Sequence, residues 1–108
     1  MTEQCTVIAI FTPKTEYCEE IRELLLRITP FVHSEPGCEF YTLNEDVDGR
    51  FVFIEAWSTR ALWQEHNDRQ TVKDIIAGVE GKLQRDVEVY EMYNQPTGSV
   101  GKGSLTGK

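Results

Sequence analysis

Apolar residues along the chain recur at strand spacing in some segments and at helix spacing in others. Thr6–Phe11 (Thr-Val-Ile-Ala-Ile-Phe) is β-branched and apolar and predicts a first strand, ended by Pro13. Tyr17, Ile21, Leu24, Leu25, Ile28, Phe31 and Val32 then follow helical spacing with one apolar stripe. Thr15 is the expected N-cap, and Glu16, Glu19 and Glu20 stand near the positive end of that helix. Pro30 is expected to kink or restart the helix, with Thr29 capping a last turn, and Pro36-Gly37 stops it. Cys38–Leu43 and Phe51–Trp57 predict two further strands. Asp46-Val47-Asp48-Gly49 makes the hairpin between them, with Gly49 supplying a positive φ. Ser58 or Thr59 caps a helix running to about Asn67. Another helical segment runs from about Gln70 to Leu83, its end weakened by Gly78 and Gly81, and Val87–Tyr93 predicts a fourth strand.

This order is β-α-β-β-α-β, an α+β, ferredoxin-like arrangement with a four-stranded antiparallel sheet and helices on one face. The third strand presents Phe51, Phe53, Glu55 and Trp57 on one side and Val52, Ile54 and Ala56 on the other. The first strand is likewise apolar on both sides. A sheet with one wet face alternates apolar and polar residues, so both faces here are expected to be covered. Helices cover one face; a second copy packed against the other is the simplest second cover, which predicts a homodimer.

A length of 108 residues fits one domain, placed at 1–94, followed by a flexible Gly/Ser/Lys-rich tail at 95–108. The net charge is −7, and residues 1–94 hold all 18 acidic residues, so an acidic body argues against nucleic-acid binding. No apolar run approaches the roughly 20 residues a membrane span needs. The first residues, Met1-Thr2-Glu3-Gln4, lack the basic and apolar regions of a signal peptide. Three cysteines without metal-type spacing fit reduced thiols, and a cytoplasmic location is expected.

His33 and His66 are the only histidines, and no HxH, HExxH, CxxC, GxGxxG, Walker or GxSxG pattern occurs. No metal and no cofactor is therefore expected. Cys5, Cys18 and Cys38 read as inert thiols. His66 shares a helix face with Ala61 and Leu62, so its ring could point inward as a core histidine or as a pocket group acting on a phenol or enol. Glu55 sits in an apolar strand, where a carboxylate costs energy unless paired; it reads as half of a buried pair or as the support of a neighbouring imidazole. Trp57, Phe51, Phe53 and Trp63 could be plain core or the walls of a flat pocket, and Tyr41 could add a hydroxyl donor. Arg50 is expected to be solvated, as is the charged run Glu16–Glu23.

The Glu35-Pro36-Gly37-Cys38 turn, the Phe53-x-Glu55-x-Trp57 strand and the helix bearing Ala61 and His66 resemble the antibiotic-biosynthesis monooxygenase family over about residues 5–94. The resemblance implies a dimeric α/β barrel. Some members oxidise aromatic polyketides or quinols with molecular oxygen and no metal, flavin or other prosthetic group. Haem-degrading relatives look to use a strand-one Asn, a helix Trp and a His ten residues further on. Here Val7–Phe11 holds no Asn, His66 stands at the Trp position and Ile76 at the ligand position, which disfavours that activity. The expectation is a cofactor-independent monooxygenase of a small aromatic or quinol-like substrate. His66 would be base or orienting group, Glu55 its support, and Trp57, Phe53, Trp63 and Tyr41 the substrate-binding walls. A non-catalytic small-ligand-binding or stress-related module, and an isomerase of small hydroxyketones, are the alternatives.

Overall fold

The computed structural model describes residues 4–105. Its elements are β1 (Cys5–Phe11), α1 (Cys18–His33), β2 (Cys38–Glu45), β3 (Phe51–Trp57), α2 (Arg60–Asn67), α3 (Gln70–Val79) and β4 (Glu88–Met92). The strands form one antiparallel sheet in the order β2-β3-β1-β4, with β1 pairing β3 from Cys5↔Trp57 to Phe11↔Phe51. This is the α+β, ferredoxin-like architecture the pattern predicts.

Alternation decides which side chains the helices cover. Cys5, Val7, Phe51, Phe53 and Trp57 are buried on one face, together with Glu55. Ile21, Leu25, Ile28 and Val32 of α1 pack against that face as the stripe their spacing implies. The opposite face carries Ile8, Ile10, Val52 and Ile54, each partly exposed, beside Tyr90 and Met92 of β4.

Several local expectations change. Thr15 does not cap α1: Thr15–Tyr17 forms a 3-10 turn and α1 begins at Cys18 without a side-chain cap. Pro30 lies inside one continuous α1, and the Thr29 hydroxyl donates back to the Leu25 carbonyl at 2.7 Å rather than capping a new turn. α3 stops at Val79, short of Leu83, because Gly81 turns the chain with φ +74° and Leu83 bridges to Pro13. Arg50 is not simply solvated; it pairs with Asp46 at 2.6 Å across the hairpin. Beyond β4, Val100–Gly103 makes a single helical turn.

Two glycines set how closely the helices approach. A Cβ on Gly37 (φ +82°) would stand 2.5 Å from Leu62 Cδ1 of α2, and one on Gly78 would stand 2.5 Å from Leu24 Cδ2 of α1. Gly78, read in sequence as weakening a helix end, thus lets α3 lie against α1.

Candidate functional site

A cavity of about 190 Å³ lies between the sheet and α3. Val7, Ala9, Phe11 and Phe53 form its floor, and Trp63, Val72, Ile75, Ile76 and Val79 cover it. Glu55, His66, Tyr41 and Asn67 are its polar lining residues. Ile76 and Val89 line it while remaining 62% and 51% exposed, so an apolar mouth opens between α3 and β4.

Glu55 reaches the cavity because even spacing along β3 puts it on the helix-covered face with Phe53 and Trp57. Its carboxylate is 4% exposed and accepts from Trp57 Nε1 at 3.0 Å. Burial pushes its pKa up to about 7, opposed by the Trp57 hydrogen bond and reinforced by the charge of Glu35. Burial also raises the Tyr41 phenol well above its ordinary value, with Glu55 and Glu35 adding to the shift, so Tyr41 stays protonated. Cys5 and Cys38 are pushed up to about 11, chiefly by burial, which leaves both thiols protonated and unreactive at neutral pH.

His66 comes from α2, whose start is fixed by the Thr59 hydroxyl accepting from Leu62 N at 3.2 Å. Its ring is 4% exposed and stacks on Trp57 with centroids 4.5 Å apart; Tyr41 meets it edge-on at 5.7 Å. Burial lowers its pKa below the ordinary histidine value, partly offset by Glu35, so the ring is neutral at pH 7.

Glu55 was expected beside His66 as its support; it is bonded to Trp57 instead, and the carboxylate at the His66 ring is Glu35. His66 Nδ1 lies 2.6 Å from Glu35 Oε1, and the Thr71 hydroxyl donates to Glu35 Oε2 at 2.6 Å. Trp57, expected as a pocket wall, is fully buried behind the polar end, touching both His66 and Glu55. Phe53, Trp63 and Tyr41 do line the cavity, whereas Phe51 is a core residue outside it. Glu35 escaped sequence reasoning because its motif marks a turn. The turn is what delivers it: Gly37 O accepts from Ser58 N at 2.8 Å, and Leu62 packs on Gly37, which brings the α1–β2 connection against α2.

A family model described as antibiotic biosynthesis monooxygenase matches residues 5–78. The chain belongs to this family. Rv0793 from Mycobacterium tuberculosis is 29% identical with a TM-score of 0.82, over 89% of this chain and 99% of that one. A solved antibiotic biosynthesis monooxygenase is 28% identical with a TM-score of 0.79, over 85% and 99%. PA3566 from Pseudomonas aeruginosa is 26% identical with a TM-score of 0.80, over 88% and 97%. No curated protein matches the chain. The matched span of this antibiotic biosynthesis monooxygenase family member contains Glu35, Glu55 and His66 and stops before β4. No helix among the described residues is long and apolar enough to cross a membrane.

Proposed function

We propose that this family member is a cofactor-independent monooxygenase of a small aromatic or quinol-like substrate, acting in the cavity between sheet and helices. The observation that carries the reading is that Glu55 and His66 both line one cavity that is otherwise almost wholly apolar. An apolar cavity of about 150 Å³ takes up benzene, so this one suits one or two rings. Phe53, Trp63 and Tyr41 hold the ring plane. Glu55, with a pKa matched to neutral pH, removes the phenolic proton, and neutral His66 orients the hydroxyl.

Proton removal makes the ring electron-rich enough to reduce oxygen directly. A carbon–oxygen bond forms at the activated ring carbon, and the resulting hydroperoxide then breaks its O–O bond. One oxygen atom stays in the quinone product and the other leaves as water. The substrate supplies all four electrons, so no external reductant enters. Oxygen uptake by purified protein with naphthohydroquinones and catechols tests this. Uptake above the uncatalysed rate, reduced about a hundredfold or more in Glu55→Gln and His66→Ala, is expected. Equal rates in wild type and both variants would refute the roles.

The working unit is, on this reading, a homodimer. The apolar stripe Tyr90–Ile8–Ile54, with Ile10, Val52 and Met92 beside it, supports a second sheet packing on the open face.

A further inference from the structure

Two consecutive helices converge on one carboxylate, more than 30 residues earlier in the chain, that does not line the cavity. Glu35 comes from the turn after α1, His66 from the last turn of α2 and Thr71 from the first turn of α3. The Glu35 side chain is 8% exposed, and both of its oxygens are engaged at 2.6 Å. Arg69 Nε stands 3.9 Å from Oε1. Burying a carboxylate is costly unless donors surround it, and tying down a loop needs no such group. The Thr71 hydroxyl donates to Oε2, which marks the carboxylate as an acceptor. An ionised carboxylate has no proton to give at Oε1, and it pairs with the facing imidazole nitrogen when that nitrogen carries one.

We propose that Glu35 is a positioning residue for His66: it holds the proton on Nδ1, leaves Nε2 as the basic nitrogen and fixes which edge of the ring faces the substrate. This deepens the proposed function and rests on it for the catalytic consequence alone. The same arrangement orients imidazoles in hydrolytic triads and behind metal-bound histidines, where it selects the tautomer. Here Trp57 holds one face of the ring and Tyr41 meets it edge-on, so the Glu35 bond sets the one rotation left. The titratable and charged groups around His66 are Glu35 and Arg69 beside Nδ1, Tyr41 of β2, and Glu55 of β3 across the shared cavity.

The test is 15N NMR of the histidine side chains in the full chain, with resonances assigned by His33→Gln. At pH 8 neutral His66 is expected to carry its proton on Nδ1; a proton on Nε2 would overturn the proposal without any change at the site. Glu35→Gln is expected to lower the His66 pKa by about one unit and to shift the proton towards Nε2. A network that merely held the loop would, when loosened, admit water and move the pKa up towards 6.5. An unchanged or raised pKa in Glu35→Gln therefore also overturns the proposal. With a substrate that wild type oxidises, Glu35→Gln should lower kcat about tenfold or more and leave KM within about twofold. If wild type oxidises nothing, the proposed function fails, while the NMR arm still decides the role of Glu35.

Discussion

Glu55 illustrates how one buried side chain links stability to chemistry. Its pKa rises from 4.5 to about 7 on folding. Between those values the folded state binds more protons than the unfolded one, so its contribution to stability falls as pH rises and stays low above 7. The cost above pH 7 is on the order of 3 kcal/mol. Glu55→Gln keeps the shape and the acceptor for Trp57. It should stabilise the protein by about 1–3 kcal/mol at pH 8 and have little effect at pH 4.5, as measured by urea unfolding at both values. Equal effects at the two pH values would mean that Glu55 is not ionised at a cost. Trp57→Phe removes the hydrogen bond that holds the Glu55 pKa down, so the acid limb of kcat/KM against pH should start near 7 in wild type and move upwards in the variant. An unmoved limb would assign it to another group. Glu55 was legible as a carboxylate in an apolar strand, and His66 as one of two histidines, on a helix face shared with Ala61 and Leu62. Glu35 was not, since its partner lies 31 residues away and its local context signals only a turn.

At the scale of elements, β-branched and apolar runs were enough to place all four strands, and helical spacing to place the buried stripe of α1. The ends were less legible. Pro30 suggested a break, yet α1 runs through it, with its buried stripe continuing to Val32. The end of α3 depends on Gly81 and on the Pro13–Leu83 bridge, a contact no local pattern announces. Gly37 is where element geometry and site meet, since its turn brings Glu35 to α2. Gly37→Ala puts a Cβ at positive φ and against Leu62, and should cost about 1–3 kcal/mol or more. Adding Leu62→Ala removes the Cδ1 and Cγ contacts and leaves the one to Leu62 Cβ at 2.8 Å, together with the backbone strain. The double variant should therefore lose less than the sum of the single losses in urea unfolding. Strict additivity would mean that the contact does not limit the turn.

For the whole molecule, the two sides of one sheet differ in what covers them. The helix-covered face holds the cavity and its polar end, and the open face holds a stripe of partly exposed Ile, Val, Tyr and Met. Light scattering at micromolar concentration should give twice the chain mass. Ile8→Lys with Ile54→Lys, which puts charges on adjacent strands of that stripe, should give the single mass with the fold retained. Monomeric wild type would refute the packing. The family and the α+β fold follow from features spread along the whole chain, whereas the chemistry depends on a few side chains. The most direct measurement is therefore product mass after turnover under 18O₂ by the purified protein, beside Glu55→Gln. One labelled atom in the quinone and one in water, formed by wild type and not by the variant, is the expected result. Product without label, or equal labelling by the variant, would contradict oxygen insertion at this cavity.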